Sequence, residues 1–294
     1  MAQRPVALVT GASSGIGFEI AKHLKRHGFN VYAGARRVAK MNALDDIGIH
    51  TMYLDVTDSD SITAAVSQID VDEGRLDVLV NNAGYGLFGA LEEVPLEKAK
   101  AQFDVNVFGL SEMTKRVLPL MRRQRAGRVI NVSSVAGKTA TPLGNWYGAS
   151  KYAVEGLSDN LRLELANFGI DVVVIEPGAT TSAWAATAGD QLASVAQNGP
   201  YTKLSAEAAA FLKTIAAFGS DPALISRAVV QAATARRPKT RYVPGVAAKA
   251  EVFGRWLLSD RMMDSAIRQL GKQSLRYQTS RKESKATLES NATG

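Results

Sequence analysis

The chain has 294 residues, 46% hydrophobic and 21% charged, an ordinary globular composition able to bury a core without disulfides or metals. It has no cysteine, which excludes disulfides, thiolate metal sites and a cysteine nucleophile and fits a cytoplasmic protein, with no metal site expected. Of the formal charge of +7, the part from Arg227 onward holds 14 basic and 5 acidic residues, which leaves −2 before it; the basic part is read as a solvated face.

A strand is predicted over residues 6–10, so close to the start that it leaves no room for a targeting peptide. It runs through Thr10 into Gly11-Ala12-Ser13-Ser14-Gly15-Ile16-Gly17 and a helical pattern over 15–27. Gly11 suits a tight turn, Gly15 lets backbone approach a pyrophosphate, and Gly17 lets the helix pack closely on the sheet. The N–H groups and positive dipole end at a helix start favour an anion there. A glycine trio alone is a weak signal; its place between strand and helix points to a dinucleotide, with Ser13, Ser14 and Ile16 as further contacts. The second strand, 30–35, leads into Arg36 and Arg37, about 20 residues past the glycines, where an acidic residue would favour NAD(H). A guanidinium fork can pair a 2′-phosphate, so the cofactor read here is NADP(H), with NAD(H) as the alternative.

Further strands are predicted at 51–54, 78–81, 128–133, 171–176 and, more weakly, 240–243, with helices over 59–68, 95–123 and 147–168. Apolar residues run consecutively in the strands, as parallel strands covered on both faces require. The alternation predicts an α/β fold, a doubly wound (Rossmann) parallel sheet of about seven strands with helices on both faces, in one domain over 1–276. Residues 277–294 are read as a disordered tail, since 278–294 are polar and lack aromatics. Phe253, Trp256, Leu257, Met263, Ile267 and Leu270 repeat at helical spacing within a substrate and packing segment, 240–272, and are expected to pack onto their own domain. No nucleic-acid module or aromatic platform accompanies the basic residues, and no nucleic-acid partner or membrane-surface contact is expected.

Tyr147 and Lys151 lie four apart in a helical pattern and share a face, 13 positions and more beyond Ser134 at a strand end. Together with Asp55-Val56, Asn81-Asn82-Ala83-Gly84, Asn106 and Pro177-Gly178, in this order and spacing, the chain resembles the short-chain dehydrogenase/reductase family. It is similar to the single-domain branch, in particular the group around 17β-hydroxysteroid dehydrogenases. The resemblance implies that Tyr147 is the general acid in reduction and the general base in oxidation, and that Ser134 hydrogen-bonds the substrate oxygen. Lys151 would hold the nicotinamide ribose and Asn106 a water of the proton relay. Asp55 would meet the adenine beside Val56, Asn82, Ala83 and Gly84 would lie along the cofactor, and Pro177 and Gly178 would border the nicotinamide. Two positions depart from the family pattern: Ser14 stands where many NADP-preferring relatives have a basic residue, and Ser182 where threonine is frequent, so that contact is kept or moves to Thr180 or Thr181.

The resemblance also implies a lid over about 180–205, containing Trp184 and Tyr201 and interrupted by Gly189 and Gly199, a small lipophilic carbonyl or alcohol substrate, and a homodimer or homotetramer. A dinucleotide-sensing protein without turnover usually lacks the serine, tyrosine or lysine, and all three are present here. The chemistry agrees with these roles. Hydride arrival at a carbonyl creates an alkoxide that needs a proton donor. Free tyrosine titrates near 10. An ammonium about 5 Å away at an effective dielectric of about 20 contributes roughly 3 kcal/mol, so with burial opposing it a phenol pKa of about 7 to 8 is expected.

Overall fold

A computed structural model describes residues 3–181, 192, 199–217 and 219–292, with side chains as far as Arg281. Seven strands form one sheet: β1 (Val6–Thr10), β2 (Asn30–Ala35), β3 (His50–Tyr53), β4 (Val78–Asn81), β5 (Gly127–Val132), β6 (Ile170–Ile175) and β7 (Arg241–Tyr242). Their order is β3-β2-β1-β4-β5-β6-β7, and every neighbouring pair is parallel. The register sets Val9 opposite both Ala33 and Val80, and Asn81 opposite Asn131.

Among the described residues the helices are α1 (Gly15–Arg26), α2 (Asn42–Asp45), α3 (Ser59–Glu73), α4 (Leu96–Phe103), α5 (Leu110–Gln124), α6 (Asn145–Leu165), α7 (Thr202–Ala217), α8 (Pro222–Thr234), α9 (Val246–Leu257) and α10 (Asp260–Ala292). Alternate strand residues feed two cores. Ala7, Val9, Val31 and Ala33 pack under Ile20 and Leu24 of α1 and Val229 of α8. Val6, Leu8 and Tyr32 face the other way, under Ile62 and Ile69 of α3, Met113 and Val117 of α5 and Leu165 of α6. Covering on both faces is what makes these strands read as unbroken apolar runs. Local signals set the helix ends: the Asp58 carboxylate accepts from the Asp60 and Ser61 N–H groups at the start of α3, and Gly74 closes it at φ 66°.

Each predicted strand lies within one residue of its observed bounds. Three other expectations change. The pattern over 95–123 is not one helix: a π-helical turn, Asp104–Gly109, separates α4 from α5, and Pro95 stands just before the helix. The tail read as disordered is helical, since α10 runs to Ala292. No proline or glycine follows Gly271 until the last residue, and the helix is anchored on α7, where Ser274 is buried and Gln278 Nε2 donates to Thr214 Oγ1 at 3.4 Å. The stripe expected to pack inward is divided between α9 and α10 and leaves Phe253, Trp256, Leu257 and Leu270 exposed. Ser182, Trp184 and Gly189 of the proposed lid lie outside the described residues.

From β1 the chain builds β2 and β3 on one side and then crosses to β4 on the other. The reversal opens a crevice at the carboxyl ends of β1 and β4, the place where open parallel sheets of this order take their ligands.

Candidate active site

The turn after β1 occupies that crevice. Gly11 and Gly15 have φ of 69° and 60°, the left-handed region that glycine enters without penalty. A side chain on Gly11 would lie 2.8 Å from the Ala83 Cα, and one on Gly17 2.5 Å from the Gly11 oxygen, so both are close approaches of backbone. At Gly15 the space is open, and Ser14 and Gly15 are exposed. The Ser14 side chain does not cap α1, whose first turn holds no acidic residue, while Ile16 packs against the core. The exit of β4 is clamped to this turn. Thr10 Oγ1 accepts from the N–H groups of Asn82 and Ala83, both at 3.0 Å, and Asn82 Nδ2 donates to the Thr10 oxygen at 2.9 Å.

The basic pair flanks the same turn. Arg37 Nη2 donates to Ser13 Oγ at 3.3 Å, and Arg36 Nη1 lies 3.9 Å from Asp55 Oδ2, its side chain 68% exposed. Asp55 is held by its own segment, accepting from the Thr57 N–H at 3.0 Å, and Val56 is buried against Gly109. An open glycine turn at an uncapped, positive helix end, with an exposed guanidinium beside it, fits a dinucleotide phosphate group.

Ser134 leaves β5 in extended backbone; its hydroxyl accepts from the Ala136 N–H at 3.1 Å and lies 3.4 Å from the Pro177 oxygen. Its one proton is thus weakly engaged, and the hydroxyl is close enough to the Tyr147 phenol to favour its ionised form. Lys151, one turn further along α6, donates to the Val132 carbonyl at 2.9 Å, with Nζ 5.9 Å from the centre of the Tyr147 ring. The start of α6 is braced: Gly89 N–H donates to the Leu143 carbonyl at 2.8 Å, and buried Leu143 is held at φ 58°. That conformation costs a side chain about 1–2 kcal/mol and marks a backbone fixed by its surroundings.

Burial raises the Tyr147 phenol above its ordinary value, and the Ser134 hydrogen bond works against it. This direction is opposite to the lowering expected from the lysine, because removal of solvent outweighs the stabilisation of the phenolate. Burial also lowers Lys151, to about 8, against the pull of Glu155. Around the phenol the wall is apolar, formed by Phe88, Ala136, Leu143 and Leu192 with Ala208 and Leu212 of α7.

Asn106 is buried in the π-helical turn, and its carboxamide is fully engaged. Oδ1 accepts from the Tyr85 N–H at 3.0 Å, while Nδ2 donates to the Tyr85 oxygen at 2.9 Å and to Ser150 Oγ at 3.0 Å. This side chain ties the loop after β4, including Gly84, to α6. Pro177 accepts from the Val135 N–H at 2.9 Å, and Gly178 packs against Ala248 of α9. Thr180 stands apart from Ser134 along the chain, buried and bridged to Ser220. Sequence reasoning missed Tyr85, whose backbone pairs with Asn106, the hydrogen bonds that Thr10 and Ser150 make to distant residues, and a charge cluster in which Lys138 and Arg241 meet the buried Glu155 and Glu176.

The family model described as short chain dehydrogenase matches residues 5–193. Among curated relatives, the 3-ketodihydrosphingosine reductase of Bacteroides thetaiotaomicron is 44% identical over 177 residues, 60% of this chain and 64% of that one. A short-chain dehydrogenase structure from Streptomyces avermitilis is similar with a TM-score of 0.76 and 30% identity, over 92% of this chain and 96% of that one. A metagenomic short-chain oxidoreductase solved in complex with NADP is similar with a TM-score of 0.64 and 28% identity, over 82% and 98%.

Proposed function

The chain belongs to the short-chain dehydrogenase family, and from that premise we propose that it transfers a hydride between NADP(H) and the carbonyl or alcohol carbon of a small lipophilic substrate, with Tyr147 as general acid and base. The observation that carries this reading is the placing of Ser134 at the exit of β5 and of the Lys151 ammonium, 5.9 Å from the centre of the buried Tyr147 ring, on the two sides of one phenol, with Ser134 drawing its pKa down. Gly11 to Gly17, Arg36, Arg37, Asp55 and Asn82 to Gly84 would hold the dinucleotide, which supplies the hydride when bound. Pro177, Gly178 and Thr180 belong to the strand-end segment that would border its reactive end.

Ser134 turns its hydroxyl from the long Pro177 contact to the substrate oxygen and orients it. Tyr147 gives that oxygen a proton as negative charge develops there. A phenol raised by burial stays protonated at neutral pH, the form that reduction needs. Lys151, its ammonium tethered to the Val132 carbonyl, steadies the phenolate left behind. The apolar wall of Phe88, Leu143, Leu192 and Leu212 favours a substrate without charge near its carbonyl and keeps water from the proton transfer. The name of the Bacteroides relative, a keto-group reductase, agrees with this substrate class.

The test is NADPH consumption across a panel of lipophilic ketones and aldehydes. Tyr147→Phe is expected to lower turnover by about 10²- to 10⁴-fold; near-normal turnover would remove Tyr147 from its role. Arg36→Asp is expected to weaken NADPH roughly 10- to 100-fold while sparing NADH, the scale of one charge-assisted contact. Equal affinity of the parent for NADPH and NADH would favour the alternative cofactor, NAD(H).

A further inference from the structure

Behind Ser134 and Lys151 lies a set of charged side chains that the proposed reaction does not use. Glu155 is one turn beyond Lys151 on α6, and Glu176 follows β6 directly before Pro177, whose carbonyl lies beside the Ser134 hydroxyl. Both carboxyl groups are buried, with 4% and 1% of the residue exposed. Lys138 Nζ lies 2.8 Å from Glu155 Oε2 and 3.9 Å from Glu176 Oε1. Arg241 of β7 donates from Nε to Glu155 Oε2 at 3.1 Å, and the same nitrogen is 3.1 Å from Glu176 Oε1 but poorly aligned with it. The remaining charges around the cluster are Asp159, bound by Arg241 and Arg162, and Lys151 itself; Glu251 of α9 is held by Thr139, the neighbour of Lys138.

Glu155 Oε1 and Glu176 Oε1 are buried without a hydrogen-bond donor among the described residues, although the two carboxyl groups are within hydrogen-bond reach of each other. A buried carboxylate oxygen without a well-aligned donor is costly, and two facing each other repel, a repulsion that Lys138 and Arg241 offset in part. One proton removes both penalties, because the protonated group then donates to the other.

We infer that Glu155 and Glu176 form a proton-sharing carboxyl pair that positions Lys151 and Ser134 and balances the charge behind them. This rests on the roles proposed above for those two residues. Burial, with the negative charge of Glu155 adding to it, pushes Glu176 up to about 7. Glu176 therefore loses its proton near neutral pH, on the far side of Glu155, whose negative charge opposes the burial that holds Lys151 down to about 8. As pH rises, Glu176 ionises before Lys151 discharges, and its charge reaches Lys151 only through Glu155.

Three measurements test the pair. Infrared spectra of the parent are expected to show a protonated-carboxyl stretch that disappears as pH rises through about 7, and that is absent from Glu176→Gln. The alkaline limb of both NADPH affinity and turnover is expected to shift down by about half a pH unit or more in Glu176→Gln, since a neutral amide cannot supply the charge. The stability sign follows from a carboxyl whose folded pKa is raised: its contribution is complete below the unfolded value and is lost as pH rises through about 7. The parent is thus expected to lose more Tm between pH 5 and 8 than Glu176→Gln. Should Glu176→Gln fail to fold, Lys138→Met retains the pair and is expected to move the infrared band to higher pH. A parent with no such band, or a Glu176→Gln pH profile superimposed on that of the parent, overturns the inference. The infrared titration needs no turnover, so its failure is distinguishable from failure of the proposed reaction.

Discussion

Lys151 is pulled in two directions. Burial removes the water that would stabilise its charge and lowers it to about 8, while Glu155 one turn away holds the charge in place. The group discharges as pH rises through that value, and with it goes the positive charge that steadies the ionised Tyr147. NADPH-linked reduction is therefore expected to fall above about pH 8, and Lys151→Met to be low at every pH with that limb gone. A pH–rate profile of the two proteins checks this; an alkaline limb retained in Lys151→Met would assign it to another group. The same residue shows where sequence reasoning stops. The four-residue spacing established that Tyr147 and Lys151 share a helical face, but how deeply that face is buried depends on β5 and α7, which come from elsewhere in the chain. Coulomb attraction at an assumed distance thus put the phenol too low.

The π-helical turn between α4 and α5 gives Asn106 its place, reaching the loop after β4 on one side and α6 on the other. Asn106→Ala would strip the donor and acceptor from Tyr85 and the donor from Ser150 inside the protein. The expected cost is about 1–3 kcal/mol for polar groups left unpaired, read from denaturant unfolding, with Asn106→Asp no milder, since a carboxylate cannot donate to Tyr85 or Ser150. An alanine variant as stable as the parent would mean that the loop finds other partners. This turn was invisible in the sequence because Asp104 to Gly109 continues the apolar stripe of its flanking helices. The strands were legible to within a residue because parallel strands covered on both faces need unbroken apolar runs. The charge cluster was not: Arg241 meets Glu155 across 86 positions, and no local pattern announces such a pairing. The C-terminal helix was misread for a related reason, since polar composition alone does not reveal a helix anchored by Ser274 and Gln278 on α7.

Across the whole molecule, α10 braces α7, and α7 supplies Ala208 and Leu212 to the wall around Tyr147. Deleting residues 272–294 is expected to raise the KM for the carbonyl substrate several-fold while leaving NADPH affinity near that of the parent, because the glycine turn is built by β1, α1 and the exit of β4. Ending the chain after Arg281 is expected to change neither; equal KM values in both truncations would separate α10 from the site. The order of the strands also dictates when the site can exist. The carbonyl beside Ser134 and one half of the carboxyl pair arrive only with the segment that follows β6. A nascent polypeptide that has left the ribosome only as far as α6 already carries Tyr147 and Lys151, yet β5 still presents an unpaired apolar edge. Until the next strand emerges and docks, that edge is open to pairing, and slow translation at this point would lengthen its exposure to other copies.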